Sequence, residues 1–154
     1  MQALLTKLDR KVTLNDFECC MRSAAQNGCE EMASFITDMF PALLASLPRK
    51  TKITILKHAC INGRVEFAAW LKSTHLPDLT IKHIRENAPD FFHATAQGGH
   101  WRVLKWAVEV FPDLTLADID QDVCGYTIKV LWRLNDLPGL EWLAGQFTKD
   151  RKST

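Results

Sequence analysis

Four of the five cysteines, Cys19, Cys20, Cys29 and Cys60, fall in the first sixty residues, and His58 stands beside the last of them. Thiolate and imidazole are the soft donors that hold zinc, so a metal centre is the first chemistry to weigh. Its usual signature is missing, because no two cysteines form a Cys-x-x-Cys pair. A cysteine in a helical core packs as a small hydrophobe, and that is the role expected here, with no metal and no cofactor. The histidines at 58, 75, 83, 93 and 100 are scattered. No nucleophile, base and oxyanion donor gather into one motif, so the chain reads as non-enzymatic. The basic stretch RKTKITILKH over 49–58 could meet phosphate, but it lacks the interleaved aromatic side chains of a single-strand platform. It reads as a solvated loop entering a helix.

Composition narrows the classes further. A chain of 154 residues that is 47% hydrophobic can bury one core of ordinary size, which argues for a single domain. Nineteen basic against eighteen acidic residues leave a net charge of +1, without the broad positive field of a dedicated nucleic-acid binder. Five cysteines are an odd number with no framework spacing, which points to a reducing, cytoplasmic setting. The opening MQALLTKLDR has an apolar run of only three residues, too short for a signal-peptide core. Nothing approaches the roughly 20 apolar residues of a membrane span.

The elements that would position these side chains recur along the chain. MRSAAQNGCEEMASF from Met21, LKHACINGRVEFAAW from Leu56, FHATAQGGHWRVLKW from Phe92 and IKVLWRLNDLPGLEW from Ile128 share one pattern. Their closing aromatic residues, Phe35, Trp70, Trp106 and Trp142, are 35, 36 and 36 residues apart, and all four are expected in the core. A period of that size means stacked supersecondary units. Each half-unit has helix-forming composition, and the turn between halves falls at Asn27-Gly28, Asn62-Gly63, Gly98-Gly99 and Asn135. Those residues tolerate the left-handed conformation that ends a first helix. Small pairs, Ala24-Ala25, Ala59-Cys60 and Thr95-Ala96, mark where first helices approach closely, while Leu131-Trp132 takes that place in the terminal unit. Pro41, Pro77 and Pro112 close the second helices. Thr80 and Thr115 are placed to cap a short helix in their connectors.

These units resemble ankyrin repeats, whose consensus runs Thr-Pro-Leu-His, Leu-Ala-Ala, Asn-Gly-His and then Val-Val-Lys-Leu-Leu. Thr54, Leu56, Ala59, Asn62, Gly63 and Glu66 match it in the second unit. Phe92-His93, Ala96, Gly99-His100 and Val103-Leu104-Lys105 match it in the third. The likeness covers roughly residues 16–147. The Asp-Gly signal of the β-hairpin finger is missing from LPRKTKI and IRENAPD, with a remnant only in DQDVCGYT. The period also exceeds the usual figure of about 33 residues, so longer loops or short helices should replace the fingers. The implied fold is an all-α helical-repeat solenoid of four ankyrin-like pairs. Its expected limits are a capping segment over 1–15, units over about 16–48, 49–84, 85–120 and 121–148, and a disordered tail over 149–154.

By the same resemblance, the chain should bind a partner protein through a concave face built from connectors and first helices, as do divergent arrays in viral and bacterial proteins that act on host factors. That face would comprise Arg49, Lys50, Lys52, Lys57, Ile61, Lys82, Arg85, Glu86, His93, Gln97, Lys129 and Arg133. Its basic character calls for an acidic partner surface. His93 and His100 fall where the family uses histidine for turn and helix hydrogen bonds. Trp101 follows the turn at a variable, outward position and is expected as an exposed contact anchor. The alternative is a nucleic-acid-associated regulator that uses the basic connectors, with binding that weakens steeply as salt rises.

Overall fold

The computed structural model describes residues 12–114 and 133–152, with side chains of the last helix described as far as Gly145. Among these residues the fold is wholly helical. Its elements are α1 (Leu14–Asn27), α2 (Glu30–Met39), α3 (Pro41–Ser46), α4 (Arg49–Ile61), α5 (Val65–His75), α6 (Ile81–Asn87), α7 (Phe91–Gln97), α8 (Trp101–Val110) and α9 (Leu137–Lys152).

Helices α1 and α2, α4 and α5, and α7 and α8 form antiparallel neighbours across tight turns. Across pairs, α1 touches α4 and α4 touches α7, while α2, α5, α8 and α9 touch in sequence. The expected turn residues all hold left-handed backbone: φ is 70° at Gly28, 73° at Gly63, 75° at Gly99 and 55° at Asn135. At the first turn the amide of Gly28 donates to Ala25 O and that of Cys29 to Ala24 O, which closes the end of α1. The turn residues thus satisfy carbonyls that the helix leaves unpaired.

One continuous core runs from Phe17 to Phe111. Helix α4 lies at its centre and buries Ile53, Ile55, Leu56, Ala59 and Cys60. These residues do not share a single stripe, because the helix is covered by α1, α5, α6 and α7 at once. The small pairs Ala24-Ala25, Ala59-Cys60 and Thr95-Ala96 are all buried, as the close approach of first helices requires. Thr95 satisfies its hydroxyl within its own helix, on Phe91 O at 3.0 Å.

The connectors explain the long period. Thr80 caps α6 with a reciprocal box in which its hydroxyl accepts from the His83 amide and its own amide donates to the His83 ring. The preceding connector is helical too, with Pro41 in the first turn of α3, where a missing N–H costs nothing. A second capping box, Thr13 with Asp16, starts α1 and is not anticipated from the repeat pattern. Thr115, Leu131-Trp132 and the DQDVCGYT stretch lie outside the described residues, as do residues 1–11 of the expected capping segment.

Three expectations need correction. Phe35 is 56% exposed rather than core, whereas its counterparts Trp70, Trp106 and Trp142 all pack on the core. No preceding pair covers Phe35 among the described residues. Trp101 is half-buried rather than outward: its Nε1 donates to Asp136 Oδ2 at 2.8 Å, and its ring lies 6.3 Å from that of Trp142. The next pair has claimed it. Finally, helix α9 continues through Lys152, so residues 149–152 extend a helix instead of forming a structureless tail.

Candidate protein-binding face

The face expected to bind a partner divides into three regions. The first is the start of α4, where Arg49, Lys50 and Lys52 occupy the first turn and the next residue beyond it. Pro48 supplies no side-chain cap and no acidic residue follows it there. Cations at a helix N-terminus oppose the helix dipole, so local helix energetics do not account for them. Helix α6 packs against α4 and carries Lys82, Arg85 and Glu86, all exposed.

His83 joins the two helices at their junction. Thr80 N–H lies 3.2 Å from His83 Nδ1, and Thr80 Oγ1 lies at the same distance from that nitrogen. Arg49 Nη1 lies 3.1 Å from Nε2 of the same ring. A guanidinium only donates, so Nε2 accepts from Arg49 when the ring proton sits on Nδ1, where Thr80 Oγ1 accepts it. Beside them Arg49 and Lys52, with His75 and the Leu76–Leu79 turn, line a depression of about 230 Å³. Burial holds the His75 imidazole below its ordinary value, and the Lys52 charge adds to the effect against Asp38. Arg85 is tied by Nη2 to Asp113 O at 3.2 Å, which fixes it against the next connector.

The second region is the middle of the first helices. Lys57 Nζ sits 2.9 Å from Asp90 Oδ1, and this hydrogen bond is the main cause that lowers the Asp90 carboxyl below its ordinary range. The Lys57 charge is therefore already matched within the chain. His93 Nε2 is 2.9 Å from Gln97 Nε2, one turn away on α7. Lys129, expected at the same level, lies outside the described residues. Lys57 and His93 are thus both engaged by partners within the chain.

The third region is the row of turns, where Ile61, Gln97 and Arg133 are the equivalent last residues before the turn. Each turn is tied to its predecessor by the residue that follows the left-handed one. Arg64 Nε donates to Gln26 O at 3.0 Å, and His100 hydrogen-bonds to the Ile61 carbonyl. Burial holds His100 below its ordinary pKa, with that backbone bond acting in the opposite sense. At the third junction Asp136 reaches back to Trp101 instead and also accepts from the Gly139 amide at 3.0 Å.

His83 is the member of the face that the sequence reading passes over. The signal is present as Thr80-x-x-His83, the spacing of a capping box with histidine in place of glutamate. Trp101 is half-buried, and its indole N–H is already used by Asp136. Among the described residues no three His, Cys, Asp or Glu side chains gather as a metal site. Burial pushes the Cys60 thiol far up, away from thiolate. No helix among them is long and apolar enough to cross a membrane. No family model, curated protein or solved structure matches the chain.

Proposed function

We propose that the chain is an ankyrin-like helical-repeat solenoid of four helix pairs that binds a partner protein by an acidic surface, with no catalytic step of its own. The ordered contacts of first helices with first helices and second with second support the repeat reading. The observation that carries the binding reading is the cluster of Arg49, Lys50 and Lys52 at the uncapped start of α4, where no acidic residue offsets them, beside exposed Lys82 on the packed helix α6. A carboxylate from outside is drawn by these cations and sits at the uncapped start of α4. The proposed binding centre is therefore the α4–α6 junction.

The test is affinity capture from cell extract with the chain as bait. Lys50→Glu, Lys52→Glu and Lys82→Glu together should lose the partners that the parent chain retains, while thermal stability stays within the small range of exposed charge changes. Lys105→Glu, on the exposed side of α8, should retain them. Equal capture by the triple variant would refute the assignment. A bait that instead binds generic duplex DNA, with affinity falling steeply in salt, would favour the nucleic-acid reading.

A further inference from the structure

Large exposed hydrophobic side chains are concentrated at the two ends of the packed pairs. Of the five among the described residues, Met32 and Phe35 lie on α2 at one end, and Leu134 and Leu137 lie at the turn into α9 at the other. Scattered single exposures need no explanation, but paired ones at both ends do. Met32 and Phe35, with Gly28–Glu31, line an open depression of about 680 Å³. Their counterparts one period on, Phe67 and Trp70, are respectively buried and packed on the core. So are Val103 and Trp106 in the following pair. Among the described residues only the first pair leaves these positions open, on the side where the later pairs meet the pair before them.

The chain contains a template for what should cover them. Trp101, the first residue of α8, packs against Trp142 of the next pair with ring centroids 6.3 Å apart. Leu137 is the counterpart of Trp101 one period later, and Phe35 is the counterpart of Trp142 in the first pair. Leu137 is 62% exposed and Phe35 is 56% exposed, so each lacks the neighbour that its counterpart has. Charge agrees with the same pairing. Exposed Arg133 stands beside the Leu134 end, while Glu30 and Glu31 line the depression at the Phe35 end.

We propose that copies of this chain associate head to tail, with Leu134 and Leu137 of one copy seated on Met32 and Phe35 of the next, continuing the internal packing across the junction. The two surfaces differ, so the contact is heterologous and leaves one open surface of each kind on every linear assembly, which permits growth beyond a dimer. The inference rests on the end residues and is independent of the acidic-partner face.

Sedimentation of the intact chain over a rising concentration series tests it. Average mass should climb past that of a dimer without levelling there. Phe35→Asp and Leu137→Asp change exposed side chains and should each abolish self-association while circular dichroism remains that of the parent. Mixed together, the two variants retain one good end apiece and should form a dimer that grows no further. Arg133→Glu should weaken assembly, and Glu30→Arg with Glu31→Arg should restore it. A parent chain that stays monomeric at every concentration overturns the proposal. So does a variant mixture that stays monomeric, or association that survives Phe35→Asp combined with Leu137→Asp.

Discussion

The turns at Gly28 and Gly63 have nearly the same backbone, φ 70° and 73°, yet they differ in what fills the space beside them. A β-carbon placed at Gly63 would stand 2.5 Å from His100 Nδ1, against a ring that hydrogen-bonds the Ile61 carbonyl. At Gly28 the nearest atom is Arg64 Cδ at 2.9 Å, part of a flexible side chain. The same residue position in the following pair closes both turns, once with a ring and once with an arm. Equal conformation therefore does not mean equal tolerance: the neighbour's freedom to move decides how much a substitution costs.

The largest expected effect comes from breaking the rigid turn. Gly63→Val places a β-branched side chain at positive φ and drives it into the His100 ring, so a loss of about 3 kcal/mol is expected, the upper range for a strained backbone position. Chemical denaturation measures it. A double-mutant cycle with His100→Ala separates the parts, since the ring clash disappears in that background and the backbone strain remains. Gly28→Ala should cost less, about 1 kcal/mol, because the backbone penalty stands while Arg64 swings aside. If the two substitutions cost the same in one host and at one pH, the neighbouring side chain is irrelevant and the contrast fails.

Acid should act on one turn more than the other. His100, His58 and His75 are each held below the ordinary imidazole value of 6.5, in every case chiefly by burial. A depressed imidazole is neutral in the fold while the unfolded chain still binds its proton, so stability is lost as pH falls through about 6.5 and is recovered above it. Melting temperature should therefore be lower at about pH 5.5 than at about pH 7.5. His100→Gln should flatten the dependence, because an amide can still donate to the Ile61 carbonyl without titrating.

What was legible in the sequence was what single residues decide locally. Glycine and asparagine at the turns report backbone chirality, and Thr80 reports a helix start, so both could be placed from spacing alone. Phe35 could not, because its exposure depends on whether another pair precedes it, and the residue itself is the same hydrophobe in either case. Trp101 depends in the same way on Asp136 and Trp142 in the following pair. Lys57 looks like a surface cation until the packing of α4 against α7 brings Asp90, 33 residues later, to 2.9 Å. The capping position of His83 is legible in principle from Thr80-x-x-His83, but its contact with Arg49 needs the packing of α4 against α6.

A third glycine provides the baseline for the contrast. Gly145 lies inside α9 and has no left-handed backbone, and a β-carbon built there meets nothing within 4 Å. It has neither the conformational need of Gly28 and Gly63 nor a neighbour to displace. In a helix interior, glycine mainly adds flexibility to the unfolded chain, so Gly145→Ala should stabilise the protein by about 0.5 to 1 kcal/mol. That is a rise of a few degrees in melting temperature, roughly 2 to 4 °C per kcal/mol for a chain of this size. The sign matters more than the size. Substituting alanine at Gly63, Gly28 and Gly145 should give a large loss, a smaller loss and a gain in that order. A loss at Gly145 would mean that the helix there is covered by something that leaves no room for a methyl group.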